Sequence, residues 1–188
     1  MSTYLIDGLI LNKEDFKDYD IKYTIYTRGY GKLTAIAKGA KKITSKLNSH
    51  LEFFMLSKIM IANGKSVKRV AGAQITESYG SINSDIEKRV IALYFFECIN
   101  LLIKNDFEDD YVFELLVSFL NFLNNNNTRQ EDLLCLNKYL FDLLDHLGYR
   151  PQIKSQKQKG LIAQLNSLVS QISDKQVKSY DILAKLFD

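Results

Sequence analysis

Residues 21–37 read IKYTIYTRGYGKLTAIA, and the alternation within them decides the fold class. Ile21, Tyr23 and Ile25 fall on one face of an extended chain, with Lys22, Thr24 and Tyr26 on the other, the mark of a half-buried strand. Gly29 and Gly31 interrupt the alternation where a hairpin turn needs positive φ, and Leu33–Ala37 resumes it as a second strand. Working outward, β-rich runs recur at Leu5–Leu11, Leu51–Ile61 and Val67–Tyr79, and Asn63-Gly64 marks a tight turn near the fourth run. Short strands joined by glycine-bearing connections predict a small closed or nearly closed antiparallel barrel.

After Tyr79 the period changes. Ser81 or Ser84 can cap a helix, and Asp85 and Glu87 suit the positive end of its dipole. Ile86, Val90 and Leu93 open a stripe at helical spacing, and Ile91, Tyr94, Cys98, Leu101 and Leu102 widen it. Further stripes run through Val112–Leu123 and Leu133–Leu147, and Gly148 with Pro151 predicts where the third helix stops. Residues 161–172 and 176–187 read as two short helices beyond a basic connector, KSQKQKG at 154–160.

Charge divides the chain more sharply than composition. The whole protein carries only +3, yet Arg28, Lys32, Lys38, Lys41, Lys42 and Lys46 lie in a stretch, 26–46, that contains no acid. Residues 1–80 are net +6, residues 81–150 net −6 and residues 151–188 net +3. A cationic run with backbone freedom and aromatic faces is the electrostatic footprint of a nucleic-acid binder, with Tyr26 and Tyr30 as rings on which bases could stack. Tyr26 qualifies because Ile21, Tyr23 and Ile25 take the opposite, core-facing side.

Other chemistries find little support. Gly31-Lys32 fails as a phosphate loop, because Tyr26 and Leu33 stand where glycine and Ser/Thr are needed, and Thr34 replaces the third glycine of a dinucleotide fingerprint. The acids Glu14, Asp15, Asp18 and Asp20, and the run Glu108-Asp109-Asp110, read as solvated caps or loops rather than a metal-binding cavity. His50 and His146 carry no nucleophile signature, so no enzyme is expected. Cys98 and Cys135 lack metal-ligand spacing, which predicts two buried thiols, no disulfide and no zinc. The N-terminus carries no secretory pattern and no apolar run reaches membrane-spanning length, so a cytoplasmic protein is expected.

Gly31-Lys32, the motif Ala37-Lys38-Gly39-Ala40-Lys41, Ser45 and Leu51-x-Phe53 together resemble the RecO family of bacterial recombination mediators. Gly8–Leu11, Asp20 to Thr27 and the ending Leu147-Gly148-Tyr149-x-Pro151 are similar to that family in the same order. The resemblance implies an α+β two-domain protein. An N-terminal five-stranded OB-fold-like antiparallel barrel over 1–80 would precede an all-α helical domain over 81–188, with a shortened tail at 151–188. It implies binding of single- and double-stranded DNA, strand annealing, partnership with RecR and with the acidic tail of single-stranded DNA-binding protein, and an indirect part in loading RecA near the nucleoid. Many members carry a four-cysteine zinc site after the Gly-Tyr-x-Pro signature. No cysteine follows Cys135 here, so no metal or other cofactor is expected.

The expected DNA-binding set is therefore Arg28, Lys32, Lys38, Lys41, Lys42, Lys46, Tyr26 and Tyr30. Two other readings share these features: an adaptor that docks partner proteins through its acidic helical region, and an RNA-binding barrel. For the acidic tail peptide, Lys88, Arg89, Arg129 and Lys138 are available cations that the sequence does not rank.

Overall fold

The computed structural model describes residues 2–42, 45, 47–64, 67–152 and 157–187. The chain forms two compact units, one comprising residues 1–78 and 103–113, the other residues 79–102 and 114–188.

The first unit is a closed five-stranded barrel followed by its own short cover. Strands β1 (Thr3–Phe16), β2 (Asp20–Thr27), β3 (Gly31–Ala37), β4 (Met55–Ala62) and β5 (Lys68–Ser78) close in the order β1-β2-β3-β5-β4. The β3–β5 pair is parallel, with Ala35 opposite Lys68 and Ile36 opposite Arg69. The barrel is thus antiparallel except at this seam, where the connection between β3 and β4 reverses the chain. Ile21, Tyr23, Ile25, Leu33, Ala35 and Ala37 face inward and fill the core with Ile6, Ile10, Ile59, Ile61 and Val70. The fourth strand starts later than its pattern suggests. Leu51–Phe54 lies in a turn after the one-turn helix α1 (Leu47–His50), with Phe54 at φ 58°, and Leu51 is buried in the barrel core.

The long β1 serves two neighbours, pairing with β4 over Thr3–Leu9 and with β2 over Gly8–Phe16. A register shift between Ile10 and Asn12 lets it bend from one to the other. Gly8 sits at this crossing, where an added Cβ would come within 2.8 Å of the Ile25 side chain.

The second unit is helical: α2 (Gly80–Ser84), α3 (Ile86–Leu102), α4 (Asp110–Leu123, whose first turn belongs to the barrel unit), α5 (Arg129–His146), α6 (Gln158–Ser173) and α7 (Tyr180–Ala184). Neither Ser81 nor Ser84 caps the long first helix. The carboxylate of Asp85 does, accepting from the backbone N–H of Glu87 and Lys88. Helix α5 opens on a capping box between Thr128 and Glu131 and closes on Gly148 at φ 87°, with Tyr149 N–H reaching the Leu144 carbonyl. The core is aromatic at its centre, where Phe95 lies 4.4 Å from Phe119 and Tyr139 meets Phe119 edge-on. Glu97 holds the end of the chain by accepting from the N–H groups of Lys178 and Ser179 and from the Ser179 hydroxyl.

Lys88 is buried in this unit. Its ammonium donates to the carbonyls of Leu123 and Asn125 and lies 3.9 Å from the Asp132 carboxylate. Burial raises the Asp132 pKa, against the opposing pull of Asn127 and Lys88. Both thiols are buried too; burial pushes Cys98 far up and Cys135 up to about 12. No helix among the described residues is long and apolar enough to cross a membrane.

Candidate nucleic-acid interface

Strand β3 splits the cationic run into two separate points. Arg28 and Tyr30 lie in the turn before it, while Lys38, Lys41 and Lys42 lie in the loop after it. Seven extended residues span roughly 20 Å, so the two groups occupy opposite ends of one strand rather than one patch.

At the far end, the loop after β3 folds against the β1–β2 turn. Lys41 N–H donates to the Tyr19 carbonyl at 3.1 Å, and Gly39 N–H donates to the Asp20 carboxylate at 2.8 Å, with Gly39 at φ 65°. The Lys42 ammonium stands 5.5 Å from the centre of the Tyr19 ring, which is 58% exposed. Lys17 and Lys38 are exposed beside this ring's two loops. Lys41 is half-buried and paired with Asp15 at 3.0 Å, and Lys22 is paired with Glu14.

The outer face of the sheet continues the patch inward from that end. Strand pairing lays Glu14, Lys22, Ile36 and Arg69 in one row across four strands, and Asn12, Thr24 and Thr34 in the next. Arg69 is exposed. Among the described residues, Lys17, Lys38, Lys42 and Arg69 have no carboxylate within ion-pair distance. A ring with the Lys42 ammonium beside it, leading onto a hydroxyl-bearing sheet face with an arginine, offers one stacking platform and several phosphate anchors.

The near end is different, because residues 103–113 cover it. Asp106 N–H donates to the Lys32 carbonyl at 2.8 Å, and Asn105 bridges Lys32 in parallel fashion. The Phe107 carbonyl lies so close to Gly31 that an added Cβ would approach it to 1.8 Å. The Tyr26 hydroxyl donates to the Asp109 carbonyl at 3.0 Å, and Gly29 N–H donates to the Asp110 carboxylate at 2.9 Å. Lys68 pairs with Asp106 at 3.2 Å, and the Arg28 guanidinium stacks 5.0 Å from the Phe113 ring.

These contacts correct two expected site residues. Tyr26 does point outward, as alternation requires, but it is fully buried under this segment and offers no face to a base. Burial, with the Asp109 and Asp110 charges, raises its phenol pKa strongly. Lys32 is likewise buried, at 7% exposure, so its ammonium is no open phosphate anchor. Tyr30 is 46% exposed, yet it stands at the covered end with its ring 4.9 Å from Tyr4. Lys46 lies outside the described residues. Conversely, Tyr19, Lys17 and Arg69 lie outside the expected set. Tyr19 carries a sequence signal of its own, an aromatic in a turn bounded by Lys17 and Asp20; Arg69 became visible only through the parallel seam.

Two family models match the chain, described as recombination protein O N terminal over residues 1–79 and recombination protein O C terminal over residues 83–171. A curated relative from Roseiflexus sp., described as DNA repair protein RecO, is 30% identical over 151 residues, covering 80% of this chain and 52% of the relative. Proteins of the same description from Dehalococcoides mccartyi and Clostridium perfringens are each 30% identical, over 147 and 142 residues, covering 78% and 76% of this chain and 57% of each relative. The chain spans about half the length of the curated relatives it matches.

Proposed function

The chain belongs to the RecO family of DNA repair proteins, and on that premise we propose that it is a non-enzymatic DNA-binding mediator whose barrel holds single strands on its open outer face. The observation that carries the proposal is the exposed Tyr19 ring beside Lys42, continuous with Lys38, Lys17 and the Arg69 row. Bases stack on such rings whatever their identity, and lysines follow the phosphates, so binding is weakly sequence-dependent and strongly salt-dependent. Duplex binds the same cations through its phosphates without the stacking contribution. Annealing follows, because the cationic surface screens the repulsion between two complementary strands.

The proposed partners are RecR, the acidic tail of single-stranded DNA-binding protein and, indirectly, RecA. Of the four cations available for an acidic tail, Lys88 is buried and Arg129 is paired with Glu87. Arg89 is exposed, and Lys138, itself paired with Asp142 at 2.7 Å, borders an apolar groove of about 390 Å³ lined by Phe122, Glu131, Leu134, Cys135 and Tyr139; we assign the tail to that groove for its apolar lining.

The test is a titration of fluorescent single-stranded DNA at several salt concentrations, with strand annealing followed by quenching. Binding that weakens steeply with salt, and annealing faster than in buffer, are expected. Absence of both sinks the reading in favour of an adaptor without DNA contact. A matched RNA strand competing equally well moves it to a nucleic-acid binder without preference for DNA.

A further inference from the structure

Residues 105–110 read NDFEDD, four carboxylates in six residues, and they are held against the barrel rather than loose in solvent. Their contacts are of the kind a nucleic-acid backbone makes. The Asp106 carboxylate takes the Lys68 ammonium, the Asp110 carboxylate takes a turn N–H at Gly29, and the backbone runs alongside β3 through Asn105 and Asp106. The surface they cover is the outer β2–β3 face, which in small barrels of this kind carries single strands. Under or beside them lie Lys32, Lys68 and Arg28, three cations at the covered end of the barrel.

We propose that residues 105–110 are an acidic strap that occupies half of the barrel's nucleic-acid face and competes with phosphate for it. The proposal rests on the nucleic-acid reading of the barrel. In the strapped state a single strand has only the half bearing Tyr19, Lys38, Lys42 and Arg69. Release of the strap extends the cationic track along β3 to Lys32, Lys68 and Arg28. A cover serving packing alone needs no carboxylate on the Lys68 ammonium, and the neutral anchor, the Tyr26 hydroxyl on the Asp109 carbonyl, shows how it is fastened without one.

The strap has two kinds of anchor, and each gives a variant. Asp106→Asn with Asp110→Asn weakens the charged anchors; Tyr26→Phe removes the neutral one and leaves net charge unchanged. Asp145→Asn with Asp174→Asn in the helical unit matches the charge change of the first. Titration of labelled oligothymidylates of increasing length reads affinity and footprint, with circular dichroism melts confirming that each variant is folded. Both strap variants are expected to bind longer oligonucleotides more tightly, on the order of tenfold for the double variant, with the salt slope steeper by roughly 0.7 per cation released. If the wild type binds and the strap variants gain no more than the charge-matched control, the strap is passive and the proposal is wrong, while the reading of the open half stands. If no form of the protein binds single strands, that reading fails and the strap falls with it.

Discussion

Replacing Lys38, Lys42 and Arg69 together by alanine tests the open half of the barrel face most directly. All three side chains are exposed, and none has a carboxylate partner among the described residues. Lys41 is left in place because it neutralises Asp15; removing it would expose a carboxylate and add repulsion to the loss of a contact. Each lost phosphate contact on a single strand removes about 0.7 from the slope of log K against log salt, so the triple variant should lose about 2. Surface substitutions of this kind change stability by up to about 0.5 kcal/mol each, and Lys42 gives up a further ~0.5–1 kcal/mol of cation–π attraction to Tyr19. The fold should therefore persist, and a melt must confirm it before binding is measured. Anisotropy titrations of labelled oligothymidylate across a salt series give the affinity and slope. A folded triple variant with unchanged affinity and slope would refute the reasoning and favour the adaptor reading.

Further expectations concern single groups. Tyr19→Ala should weaken single-strand binding by about 1–3 kcal/mol and leave duplex binding nearly unchanged, whereas Tyr19→Phe should retain single-strand binding; the same titrations on both substrates check this. Lys88→Ala strands the buried Asp132 carboxylate and two carbonyls, and should cost about 3–5 kcal/mol in urea unfolding. Burial holds both thiols protonated, so Cys98 and Cys135 should react slowly with a disulfide reagent at pH 8 and promptly in denaturant. The same shift makes stability pH-dependent. A thiol pKa raised from 9 to about 12 at Cys135 favours the folded state below 9, and that contribution should fade as pH climbs from 9 towards 12; chemical unfolding at several alkaline pH values measures it.

Much of the fold is legible because its signals are local. The two-residue period of Ile21–Tyr26 is a property of neighbouring side chains, and the core of the barrel follows it residue by residue. The helical stripes and the Gly148 stop are local as well. What the sequence does not disclose is non-local. Alternation assigns Tyr26 to the outer face but carries no information about a segment some 80 positions later that covers it. The parallel seam that brings Arg69 beside Ile36 is invisible for the same reason, because it depends on how the barrel closes and not on either strand's pattern.

Charge shows the same division between sequence and space. Summed along the chain, Asp106, Glu108, Asp109 and Asp110 make the region after residue 80 acidic. In space they belong to the barrel unit, so the acidity of the helical region is overstated and the net positive charge of the barrel is reduced by them. The run from Arg28 to Lys42 likewise is no single surface, since β3 carries its two ends apart while the β1–β2 turn brings Tyr19 and Lys17 to one of them. What a phosphate backbone would meet is therefore decided by which cations remain unpaired and uncovered. By that criterion Arg69 on a distant strand counts with Lys38 and Lys42, and Lys32, in the middle of the basic run, does not count until the acidic segment leaves it.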